Sequence, residues 1–247
     1  MVLENLDIGL VSNWDGVMAN HFTAKTYKYF DQAHENRFNK KWFEDNQGLY
    51  EEHVKMPFSH LLGKIYTQLP LADLTTMPKK VSRPLRPSHK ADCGLVKDFA
   101  SINISEKKVS RFEWNPAVKF QVGGHGHENF VGVGLYMISS RQMKELRKNL
   151  VYRFDEIDKL LKKKNLTKSW QGLEGEIYKR FPHGYDQDDR RHKYLWHKQF
   201  YLQQSFTRTE VKQKDFADTL VKDLKAAMPF YQWVRESVGK APERTKL

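Results

Sequence analysis

The earliest readable element is set by an alternation of apolar and polar positions behind Phe22-Thr23. Thr23 is suited to cap a helix and Phe22 to staple onto Tyr27, so the pattern predicts a helix over about residues 24–34. The same grammar recurs at Phe38-Asn39, with Asn39 as the cap and Phe38 stapled to Phe43. It opens a run of apolar residues near helical spacing, from Trp42 through Tyr50, Val54 and Phe58 to Leu69. Pro57 lacks an N–H, and it is expected to kink or divide that long helix.

Pro70, Pro78, Pro84 and Pro87 then exclude a helix interior and mark a connecting segment. Short β-like runs follow at 98–104, 109–114, 117–122 and 130–137, the last alternating around Gly132 and Gly134. Between the final two lies Gly-Gly-His-Gly-His-Glu-Asn, a hairpin loop by composition. Ser140 reads as the cap of a helix running to about 164. A short strand is expected over 173–180, a basic helix after the turn at Phe181 to Asp186, and a strand over 199–206. A last helix is expected over 215–228, with Pro229 interrupting it. Helices, then a block of strands, then mixed elements predict an α+β fold: a single domain with a largely antiparallel sheet flanked by helices. The folded unit is expected to span about 20–239, with an N-terminal extension over 1–21 and a frayed tail over 240–247.

Composition narrows the class. The 247 residues are 39% hydrophobic and 29% charged, which excludes a disordered tail and a lipid-embedded chain. No window approaches the ~18 consecutive apolar residues of a membrane span. The acidic start, with Glu4, Asp7 and Asp15, lacks the basic region of a secretory leader. A single cysteine, Cys93, excludes an internal disulfide framework and a cysteine-based zinc site. The expected location is therefore cytoplasmic. The net charge of +12 is unevenly placed: residues 1–140 carry +2 and residues 141–247 carry +10. The densest cationic runs are Arg141 to Lys148, Lys162 to Lys168, and Arg190 to Lys198. Such a surface can hold phosphates, or it can be the solvated face of amphipathic helices.

Several segments, taken in order, carry a resemblance. Phe22-Thr23, then Asn36, Trp42-Phe43, Asn46, Tyr50-Glu51 and Pro57 form the first. Phe130-Val131-Gly132-Val133-Gly134-Leu135-Tyr136 forms the second, and Pro182-His183-Gly184-Tyr185-Asp186 with Leu195 and Lys198 the third. Together they resemble the conserved hypothetical family called domain of unknown function 2461, over most of the chain. The resemblance implies a cytoplasmic α+β domain and attaches no reaction to it. The chain departs from the family in its basic middle segment. Arg83, Arg86 and Ser88 match, whereas Pro84 and Pro87 replace an Asp and a Phe, and His89-Lys90-Ala91 replaces a Lys-Asp-Lys run.

Arg83, Arg86, Lys90 and Lys97 are the candidate anion site, because guanidinium forks and ammonium groups suit phosphate and carboxylate. Solvated loop charge is the plainer alternative. His125 and His127 are weak metal candidates: H-x-H at a strand end places two imidazoles on one side, but no third ligand stands out. The expectation is no metal and no cofactor. Asp186, Asp188 and Asp189 could serve a hard cation, yet capping of a helix explains them more simply. Trp42, Trp114, Trp196 and Trp233 could stack bases, or pack the core. These features lead to a protein that binds an anionic partner, phosphate-bearing ligand or nucleic acid, with no membrane partner. The alternatives are an enzyme acting on a phosphorylated small molecule and an interaction protein without chemistry.

Overall fold

A computed structural model describes residues 21–69, 81–106 and 113–239. The N-terminal extension, the first part of the Pro70–Pro87 connector, most of the expected 109–114 strand and the C-terminal tail lie outside the described residues.

Among the described residues, five strands form one open antiparallel sheet in the order β1-β2-β3-β5-β4. They are β1 (Phe99–Ser105), β2 (Ala117–Gly123), β3 (Asn129–Leu135), β4 (Leu173–Glu174) and β5 (Phe200–Phe206). The register places Ile102 opposite Phe120, Phe120 opposite Val131, and Val133 opposite Leu202. Because side chains alternate along a strand, this aligns Ala100, Ile102, Ile104, Val118, Phe120, Val131, Val133, Phe200 and Leu202 on one buried face. Ser101, Asn103, Lys119, Gln203 and Ser205 occupy the other. The outer edge of β1 is partly covered: Val81 bridges Ile102, and Ser82 exchanges hydrogen bonds with Ser101.

Helices cover the apolar face. The N-terminal ones are α1 (Ala24–Glu35), α2 (Lys40–Asp45), α3 (Gln47–Tyr50) and α4 (Met56–Gln68); the later ones are α5 (Ser140–Tyr152), α6 (Phe154–Leu161), α7 (Lys164–Thr167), α8 (Arg208–Val211) and α9 (Phe216–Val238). The core closes around Phe120, whose ring lies 5.9, 5.7 and 5.8 Å from those of Phe22, Phe58 and Phe216. A second aromatic group joins Phe200 of the sheet to Phe230 and Trp233 of α9.

Thr23 and Asn39 cap α1 and α2 as their sequence context demands. Phe38 does not staple: it is 65% exposed, with the Arg37 guanidinium over its ring. The long second helix is divided at Asn46 and then winds as a π-turn over Glu51–Lys55 before Pro57. Pro57 cannot donate to the His53 carbonyl one turn earlier, and the Thr26 hydroxyl of α1 takes that acceptor at 2.7 Å. The cap of α5 is Ser139 rather than Ser140, with Gln142 closing a capping box. The expected helix to 164 breaks at Arg153 and again before Lys164. The strand expected over 173–180 shrinks to two residues flanked by Gly172 and Gly175, both at positive φ, plus a single bridge from Ile177 to His197. The basic segment after Asp186 is a 3-10 helix over Arg190–Trp196. Pro229 does not end the last helix, and α9 runs through it. Its exposed position lets the ring face solvent while Met228 and Phe230 keep their core contacts.

Candidate functional site

The strongest polar constellation lies where the end of α1, the approach to β1 and the β2–β3 hairpin meet. The 83–86 segment runs antiparallel to residues 95–97, with the Arg86 N–H donating to the Leu95 carbonyl and the Lys97 N–H to that of Pro84. This pairing sets Arg83, Arg86 and Lys97 beside one another. The Val96 N–H reaches the Arg37 carbonyl at 2.9 Å, which ties the strand approach to the end of α1. The Gly124 N–H donates to the Asp98 carbonyl at 2.8 Å and brings in the hairpin. Glycine is required there, because a Cβ on Gly124 would lie 2.8 Å from Cβ of Phe30, and one on Gly123 would overlap His127.

Asp98 is the hub. Its side chain is 7% exposed, with Oδ2 2.7 Å from Nδ1 of His34 and Oδ1 2.9 Å from Nε2 of His127. Nη2 of Arg86 stands 3.8 Å from the same Oδ1. Burial alone would raise the Asp98 pKa. The His34 hydrogen bond, the neighbouring His127 charge and further hydrogen bonds outweigh burial and hold the carboxyl below its ordinary value. An ionised Asp98 only accepts, so His34 donates from Nδ1 and His127 from Nε2. Nε2 of His34 and Nδ1 of His127 are left turned away from the carboxylate. Both imidazoles are about one-third exposed. His127 packs on Phe99, and His34 lies 5.0 Å from His125, ring centre to ring centre.

The cations play unequal parts. Arg86 donates through Nη1 to the carbonyls of Gly94 and Val96, so one arm of its fork is structural. The Lys97 ammonium donates to the Arg83 carbonyl at 2.6 Å. Its pKa is lowered by burial first, and then by the charges of Arg86 and Arg83. Arg83 and Lys90 are exposed.

The remaining motif residues are spread over the molecule. Asn36 and Asn46 end α1 and α2, each donating through its amide to the carbonyl four residues earlier. Trp42 packs against Tyr29. Gly134 has φ +131°, and a Cβ there would lie 2.5 Å from the Phe200 carbonyl oxygen on the adjoining strand. Lys198 pairs with Glu176 at 2.9 Å beside a 300 Å³ groove that Tyr136 and Trp114 also line. Gly184 turns the chain at positive φ, Tyr185 packs edge-on to His192, and the Asp186 carboxylate accepts the Asp188 N–H. Asp189 caps the 3-10 helix. Asp186 is thus not gathered with Arg83 and Arg86. His125 and His127 share the hairpin, with His127 engaged by Asp98. Among the described residues no group of three or more His, Cys, Asp or Glu side chains is placed to hold a metal ion. Trp233 is buried and Trp196 packs on Phe181.

Much of the C-terminal cationic charge is paired. Arg141 forks onto Glu113, Lys148 pairs with Glu145, Lys162 with Asp158, Arg190 with Asp155 and Arg191 with Asp189. Among the described residues no helix is long and apolar enough to cross a membrane.

Asp98 and His34 do not stand out as a site in the sequence. Asp98 is one acidic residue before an apolar strand, and its imidazole partners lie 64 residues upstream and 29 downstream. The only local signal was the cluster of glycines and histidines in the hairpin.

The family model described as conserved hypothetical protein (DUF2461) matches residues 25–233, and the chain belongs to that family. No curated protein and no solved structure matches the chain significantly.

Proposed function

We propose that this protein binds a small anionic ligand, phosphate-bearing or carboxylate-bearing, at the end of the sheet where Arg83, Arg86 and Lys97 meet His34, Asp98 and His127. The observation that carries this reading is the excess of positive charge around one carboxylate. Lys97, whose pKa is lowered first by burial and then by the charges of Arg86 and Arg83, stands beside both guanidinium groups, while Asp98 is already engaged by two imidazoles. A bound anion relieves that like-charge repulsion and accepts charge-assisted hydrogen bonds. The ion pairs along the C-terminal helices favour a compact ligand over an extended polyanion.

Titration calorimetry with inorganic pyrophosphate tests this. Wild-type protein binds with an affinity that falls as salt rises, and the double variant Arg83→Ala/Lys97→Met loses about tenfold or more. Absence of binding, or equal affinity in the variant, would rule out this site.

A further inference from the structure

We propose that His34 and His127 act as a paired general base and general acid that hydrolyses a phosphodiester held by the neighbouring cations. This inference rests on the anion-binding reading above and adds a reaction to it.

The geometry points there because one buried carboxylate orients two imidazoles from different elements in complementary tautomers. His34 comes from the last turn of α1 and His127 from the hairpin, and each uses one Asp98 oxygen. A carboxylate that accepts a ring N–H fixes which nitrogen carries the proton and stabilises the imidazolium when it forms. His34 is left with Nε2 and His127 with Nδ1 for proton transfer, and both rings are exposed enough for ligand and water to reach them. Around the pair stand Arg86, 3.8 Å from Asp98, His125 beside His34, and the Phe99 ring packed on His127, with the Lys97 ammonium 5.9 Å from the centre of that Phe99 ring. Arg37, which donates to the His34 carbonyl, braces that turn from behind.

Diester hydrolysis is the reaction that needs both roles near neutral pH. The neutral imidazole removes a proton from water as its oxygen forms a bond to phosphorus. The bond from phosphorus to the leaving oxygen breaks, and the imidazolium delivers its proton to that oxygen. The products are a phosphomonoester and an alcohol, with no net change in protons on the protein, and proton exchange with solvent returns each ring to its starting protonation state. Lys97 and the Nη2 arm of Arg86, which stands 3.8 Å from Asp98, stabilise the non-bridging oxygens. Asp98 is a positioning residue that acts through the two rings.

The test uses the dinucleotide thymidylyl-(3′→5′)-thymidine, whose alkoxide leaving group needs protonation, with products separated by chromatography from about pH 5 to about pH 9. Wild-type protein gives a bell-shaped profile, and His34→Gln and His127→Gln each lower kcat about a hundredfold, well beyond any change in KM or in pyrophosphate affinity. Asp98→Asn lowers the rate and alters the profile. Should that buried substitution unfold the protein, the two histidine variants, at partly exposed positions, decide the matter. Unchanged turnover in either histidine variant overturns the proposal. So does wild-type protein that binds pyrophosphate without cleaving the dinucleotide, and the binding reading then stands. Wild-type protein that binds no pyrophosphate overturns the binding reading itself.

Discussion

Nε2 of His127 donates to Oδ1 of Asp98 at 2.9 Å from the turn of the β2–β3 hairpin, and the Asp98 carbonyl in turn accepts the Gly124 N–H of that hairpin. Side chain and backbone of one residue thus hold both arms of the turn against the start of β1. The local fold and the polar cluster depend on the same contacts.

The pH dependence of stability follows from this arrangement. The folded-state pKa of Asp98 lies below its ordinary value, so the stabilisation is present above the unfolded value of about 3.9 and is lost as pH falls through the folded value. Urea midpoints measured between about pH 7 and about pH 3 should show wild type more stable than Asp98→Asn at neutral pH, with the gap closing below about pH 4.

The two glycines of β3 differ in what replaces their hydrogen. A Cβ on Gly132 would overlap the buried hydroxyl of Tyr136, the far end of a side chain stacked on Tyr201 at 4.1 Å. Gly132→Ala should cost about 1 kcal/mol as that ring swings away. A Cβ on Gly134 meets the backbone of β5 at a φ that L-residues rarely adopt. Gly134→Ala should cost about 2–4 kcal/mol. Denaturant unfolding of the two variants checks the order.

Pro229 stands exposed inside α9, where it deprives the Lys225 carbonyl of its usual donor. Pro229→Ala should raise stability by about 1–2 kcal/mol, after allowance for the freedom that proline removes from the unfolded chain. The urea midpoint should rise with an unchanged slope.

Phe120 is fully buried between helices and sheet, with three aromatic neighbours. Phe120→Ala should cost about 3–5 kcal/mol, visible as a lower thermal midpoint.

Local grammar made much of the fold legible. The caps at Thr23 and Asn39, the hairpin at Gly123 to Glu128 and the four long strands follow from near neighbours in sequence. Pro229 misled because a single exposed proline costs less than the core contacts on either side of it return. Phe38 misled because a staple needs the preceding chain to pack back on the helix, and here that chain turns outward. For the polar cluster, Arg83, Arg86 and Lys97 were legible from charge and spacing. Asp98 and His34 were not, since their pairing depends on strand approach and helix end meeting across the fold, which no local pattern encodes. The charge of the C-terminal half was legible as a sum, whereas its partition into ion pairs depends on tertiary contacts such as Arg190 with Asp155.

The most direct measurement is a phosphate titration followed through the imidazole nitrogen signals of the full chain by NMR. Before phosphate is added, His34 should show a protonated Nδ1 and His127 a protonated Nε2. Phosphate should then move those two sets of signals, leaving those of His183 and His89 in place, and Asp98→Asn should abolish the tautomer difference. Signals of His34 and His127 that ignore phosphate, or that share one tautomer in wild-type protein, would contradict a site built on Asp98.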